Sequence, residues 1–195
     1  MGKSEIQVLV TVRSGDLAFV QDLPVLFDNL EKRRQLDGIA TQIQQTVRQR
    51  PIGTAMTYAM HVASGVSDAR AARIREQART AVFGNAINWG LGDEEFVKTL
   101  AVTDLGETFR APFRSNVPVL LMSGTLDGRA GENDARRVGE QFDRANYITI
   151  DGASHDFWFL KAAPPRLSEI TYAFLRGEPV GDERIPWPLS FRRPN

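Results

Sequence analysis

Cysteine is absent from the chain, histidine occurs only twice, and the acidic and basic side chains cancel at 24 each. Without cysteine neither a disulfide framework nor a thiolate metal site can form. His61 and His155 stand far apart and no cluster of carboxylates accompanies them, so no metal-ligand set and no cofactor are expected. A formal net charge of zero argues against a general phosphate-backbone binder, and no nucleic-acid partner is expected. Arginine outnumbers lysine, but the arginines are scattered among acids rather than massed in one block. No apolar run approaches the roughly 20 residues of a membrane-spanning helix. Met1-Gly2-Lys3-Ser4-Glu5-Ile6-Gln7 has no apolar core like a signal peptide's. Gly2 with Glu5 and Ile6 does not complete a myristoylation signal. Compartment and oligomeric state are left open.

What is present suits an ordinary globular protein: 195 residues, 42% hydrophobic and 25% charged, enough for one good-sized core and an appended lobe. Two regimes follow one another. Residues 14 to about 110 read as helical. Asp16 is placed to cap a helix carrying Phe19, Leu23, Leu26, Phe27 and Leu30 at helical spacing, with Pro24 either kinking it or starting a second one. Gly38 offers a stop, after which Ile39, Ile43 and Val47 resume the period until Arg50-Pro51. A further helix is expected over Ser67–Phe83, burying Ile74, Ala78, Ala81 and Val82 and leaving Arg70, Arg73, Arg75 and Arg79 on a solvated face. Asp93, Glu94 and Glu95 read as N-terminal caps rather than as a receptor for a substrate's amino group.

From residue 117 the pattern changes. Val117–Met122 is the continuous apolar run of a parallel strand covered on both faces. Asn133–Phe142 is helical with Ala135, Val138 and Phe142 inward, Tyr147–Ile150 is a second strand, and Leu167–Leu175 a closing helix. Strand, helix, strand and helix with short links make a parallel crossover of an α/β sheet. The tail from Gly177 to Asn195 holds four prolines with Trp187 and Phe191, too aromatic for a free linker, and is expected to dock as an irregular strap.

Sites in open α/β sheets form beyond the carboxyl ends of the strands. Asp127 lies five residues past the first apolar run and His155 five past the second, so both emerge at one sheet edge. There a carboxylate can accept the Nδ1 proton of an imidazole, fix its tautomer and leave Nε2 to take a proton from a nucleophile. Taken singly each has a plainer reading: Leu126-Asp127-Gly128 is good turn chemistry, and His155 has Asp156 as a neighbour. Taken together, in this strand context, the acid–base reading prevails. His61, among Tyr58, Ala59, Met60 and Val62, reads instead as a satisfied core or interface histidine.

Ser123-Gly124-Thr125-Leu126-Asp127-Gly128-Arg129 and Gly152-Ala153-Ser154-His155-Asp156 resemble the acid and histidine motifs of the α/β-hydrolase superfamily, in its proline iminopeptidase and tripeptidyl-aminopeptidase-like branch. Phe109-Arg110-Ala111-Pro112-Phe113 and Val117-Pro118 are similar to that branch's lead-in to the acid strand. The resemblance implies the C-terminal part of an α/β-hydrolase sheet, parallel strands with crossover helices, preceded by a helical cap. Residues 1–112 would be the cap and residues 113–195 the core with its docked tail. It also implies Asp127 and His155 as catalytic residues and hydrolysis of a peptide or amide bond near the amino end of a short peptide. Esters stand as an alternative substrate class.

The family's serine sits on a G-x-S-x-G elbow, and no such motif occurs in these residues. Ser64 in Ala63-Ser64-Gly65 and Ser123 in Met122-Ser123-Gly124 come nearest in flavour and lack the glycine pair. The chain alone is therefore expected to be inactive, a portion of a longer hydrolase whose remainder supplies the nucleophile and oxyanion hole. The rival from another class is a non-catalytic module whose helical region binds a partner or small ligand.

Overall fold

The computed structural model describes residues 2–49, 55–86, 94–155, 164–187 and 189–194. In chain order the elements are helices α1 (Lys3–Arg13), α2 (Leu17–Glu31), α3 (Leu36–Gln49), α4 (Ala55–Ser64), α5 (Asp68–Thr80), α6 (Glu94–Thr99) and α7 (Gly106–Arg110). Strand β1 (Val119–Gly124), helix α8 (Glu132–Gly139), strand β2 (Ala145–Asp151), helix α9 (Pro165–Leu175) and strand β3 (Glu183–Pro186) follow. Helices and a small parallel sheet of order β1-β2-β3 make this a mixed α/β chain. It divides into two compact units, Met1–Val12 with Gln35–Pro112, and Arg13–Arg34 with Phe113–Asn195. Arg13–Arg34 thus group with the strands, although their periodicity continues that of the helices around them.

In the first unit α1 buries Leu9 and Val10, and α3 buries Ile39 and Ile43. Gln7 of α1 donates its side-chain amide to the Val82 carbonyl at 2.6 Å. Arg110 ties α7 to the end of α4, donating to the Ser64 carbonyl at 2.9 Å while pairing with Asp104 and Glu107. Helix α5 starts where expected, with Ser67 accepting from the Arg70 amide. It stops at Thr80, however, and none of its residues is buried. Ala81 and Val82 fall outside it, Val82 being 75% exposed. The expected stripe is therefore not a core. The helix stands on its cap, on alanine and arginine propensity, and on a Glu76–Arg79 pair.

In the second unit Asp16 caps α2, accepting from the Phe19 amide at 3.2 Å. Pro24 lies inside this one helix and starts no other. The stop comes before Gly38, which sits within α3. Arg33 adopts φ 52°, and the amides of Arg34 and Arg33 bond back to the carbonyls of Asn29 and Leu30. That is the 6→1, 5→2 closure usually made with glycine. An arginine in this position is held by its surroundings, among them Asp28, which pairs with Lys32 and Arg34.

Successive strand residues alternate between faces. Ile148, Ile150 and Ile185 share one face and form the main core with Ala153, Leu167 and Ile170, flanked by Leu120, Met122, Val180 and Trp187. Each such aliphatic stabilises the fold by roughly 1.5–3 kcal/mol relative to exposure. Leu121 and Tyr147 point to the other face and meet α8 at Gly139, where a Cβ would run into both side chains. Val138 of the same helix is 46% exposed, not inward as its spacing suggested, because α8 ends at Gly139 and approaches the sheet through that glycine.

The tail departs from a wholly irregular strap. Glu183–Pro186 pairs in parallel with β2 as a third strand. Beyond it the Arg192 amide donates to the Gln21 carbonyl, the Gln21 side chain donates to the Ser190 carbonyl, and the Arg192 guanidinium meets Asp22.

Candidate functional site

Strands β1 and β2 run level, paired from Val119↔Ala145 to Gly124↔Ile150, so their carboxyl ends open together. The two loops that leave them are laced to each other. The Thr125 amide donates to the Ile150 carbonyl at 3.1 Å, and the Leu126 amide to the Ala153 carbonyl at 2.9 Å. The Gly152 amide donates to the Thr125 hydroxyl at 2.8 Å. Two glycines make this lacing possible. A Cβ at Gly124 would strike the Ala153 carbonyl, and Gly152 turns at φ 77° with Leu189 in the space a side chain would need.

The lacing delivers Asp127 and His155 to each other. His155 Nδ1 lies 2.9 Å from Asp127 Oδ2 and 3.2 Å from Oδ1. Oδ1 also accepts the backbone amides of Arg129 and Ala130, at 2.8 and 2.9 Å. The acid side chain is 5% exposed and the imidazole 39%. This burial favours a fixed carboxylate with a more accessible ring, the division of labour needed between an orienting acid and a working base. With Nδ1 facing the carboxylate, Nε2 is on the far side of the ring, and among the described residues no hydrogen bond engages it. Arg184 of β3 is engaged by Asp151, whose carboxylate raises the guanidinium pKa above its ordinary value.

The turn between α1 and α2 underlies both loops. Ser154 is fully buried and its hydroxyl donates to the Gly15 carbonyl at 2.9 Å. On the acid side, a Cβ at Gly128 would rest 3.5 Å from Ser14. Spacing in the sequence brought out Asp127 and His155 but neither Thr125 nor Ser154, whose partners depend on the folded chain. The one available signal was a hydroxyl residue immediately beside each loop's reactive group or strand end.

Other sequence candidates fall elsewhere. His61 is exposed on α4, which removes the buried-core reading. Ser64 belongs to the first unit, where its hydroxyl bonds back to the Met60 carbonyl at 2.7 Å. Ser123 is buried within β1. Arg70, Arg73, Arg75 and Arg79 are exposed along α5. Helix α6 begins at Glu94, whereas Asp93, Asp156 and the Arg50-Pro51 stop lie outside the described residues.

Among the described residues no group of three or more His, Asp or Glu side chains is arranged to hold a metal ion, and no helix is long and apolar enough to cross a membrane. What the geometry offers is an acid–base pair, an imidazole oriented by a buried carboxylate. No family model, no curated protein and no solved structure matches the chain.

Proposed function

We propose that this chain is the C-terminal portion of a cap-bearing serine α/β hydrolase, with His155 as general base and then acid and Asp127 as its orienter. The observation that carries the reading is the 2.9 Å contact between His155 Nδ1 and Asp127 Oδ2 beyond the carboxyl ends of adjacent parallel strands. A carboxylate in this place keeps the Nδ1 proton on the ring and stabilises the imidazolium that forms during turnover.

In the complete enzyme a serine Oγ would attack the substrate carbonyl carbon as His155 Nε2 takes its proton. The same proton would then pass to the departing amine as the C–N bond breaks, leaving an acyl-enzyme for water to hydrolyse. The substrate class proposed is a peptide or amide bond near the amino end of a short peptide, with esters open to the same chemistry. With no G-x-S-x-G in these residues, the serine and the oxyanion donors would come from another segment.

The test is stopped-flow hydrolysis of an activated acyl ester by the purified chain. No burst and no turnover above that of a His155→Ala variant are expected. A stoichiometric burst would show that the chain holds its own nucleophile and would overturn the fragment reading.

A further inference from the structure

We propose that Ser154 is the positioning residue for His155, its buried hydroxyl anchoring the histidine loop to the turn between α1 and α2 through the Gly15 carbonyl. The inference rests on the Asp127–His155 pair being the acid–base site of the preceding section.

A fully buried hydroxyl requires a partner. Ser154 takes one 139 positions away, at 2.9 Å. Gly15 is itself buried, and its carbonyl lies between the end of α1 at Arg13 and the start of α2 at Leu17. The hydroxyl and this turn carbonyl therefore satisfy each other.

The order of attachments along the loop gives the bond its role. Gly152 is held by its amide on Thr125, and Ala153 by its carbonyl on Leu126. Ser154 is held by its side chain, and His155 then meets Asp127. Ser154 is thus the last anchor before the imidazole, and among the described residues of this loop its side chain hydrogen-bonds to a segment outside the two loops. The same turn also passes near Gly128, the residue after the acid. A ring must be held closely to keep a productive hydrogen bond, and loop anchors supply that order in advance.

The two histidines make a direct readout possible, with exposed His61 as the internal reference. Long-range nitrogen–proton NMR of the neutral imidazole reports which ring nitrogen carries the proton. The wild-type chain is expected to show His155 as the Nδ1–H tautomer. In Ser154→Ala the Nδ1–H to Nε2–H ratio is expected to fall by about threefold to tenfold, the range set by one net hydrogen bond. A wild-type ratio in folded Ser154→Ala overturns the positioning role. If that variant does not fold, Ser154→Cys is read in its place: an intermediate ratio supports the role and a wild-type ratio overturns it. Loss of fold in both variants overturns it in favour of plain packing. Failure of the underlying pair looks different, since Asp127→Asn would then leave the His155 tautomer where the wild type has it.

Discussion

Asp127 divides its two oxygens between two tasks. Oδ1 accepts the Arg129 and Ala130 amides and lies 3.2 Å from His155 Nδ1, while Oδ2 makes the shorter 2.9 Å contact with the ring. Substitutions separate these tasks. Asp127→Asn is able to keep Oδ1 on the amides while turning an NH2 toward Nδ1, so it should cost little stability yet move the ring proton to Nε2. Asp127→Ala strips the acceptor from two amides and is expected to lower stability by about 2 kcal/mol or more, measured by denaturant unfolding. Equal midpoints for the two variants would contradict this division. Gly124→Ala should destabilise by about 1–3 kcal/mol, because its methyl meets a backbone carbonyl with little room to yield. At this scale the meeting of Asp127 and His155 was legible in the sequence, since strand ends fix where loop residues emerge. Thr125 and Ser154 were not, because a hydroxyl's partner is set by whichever segment folds against it.

Helix α2 shows how an element's stability depends on one cap. Burial raises the Asp16 carboxyl, but the Arg13 guanidinium and the amides of Phe19 and Ala18 outweigh it, so the group lies below the ordinary aspartate value. A folded-state value below the unfolded one stabilises above the unfolded pKa, and this contribution is lost as pH falls through the folded value. The wild-type chain should therefore lose stability in acid more steeply than Asp16→Asn, which retains a capping oxygen without the charge. Asp16→Ala should cost about 1 kcal/mol near neutral pH. Parallel thermal-melt curves for wild type and Asp16→Asn between pH 3 and 6 would refute the assignment. The capped helices and the two apolar strands were readable from local pattern. Other features were not, among them α1, which precedes the residues read as helical. The end of α2 rests on Arg33 in a left-handed conformation rather than on Gly38, and β3 is four residues long with Glu183 and Arg184 at its start. Such a strand forms through pairing with β2 and the burial of Ile185, with the ion pairs of Arg166 with Glu183 and Arg184 with Asp151 at its surface.

Across the molecule the two sheet edges differ in kind. The edge at β3 is short, carries charged side chains and ends in Pro186, a combination that discourages further pairing. Among the described residues β1 is the other edge, six residues of mostly apolar sequence, preceded by Pro118 and by Val117, which is 56% exposed. Concentration-dependent association through β1 is the expected behaviour of the isolated chain, and Val117→Lys should suppress it in light scattering. A wild-type chain that stays monodisperse at high concentration would favour the non-catalytic module instead. The second unit is also discontinuous in sequence, its Arg13–Arg34 segment bonded to Ser154, Ser190 and Arg192. That discontinuity sets an order of assembly. On a ribosome the Arg13–Arg34 segment leaves the exit tunnel before all of Gln35–Pro112 and before the Ser154, Ser190 and Arg192 groups that bond to it. The brace under the imidazole joins a turn made early to a loop residue 139 positions later, so the site can close only once that loop has been synthesised and has folded back on the turn.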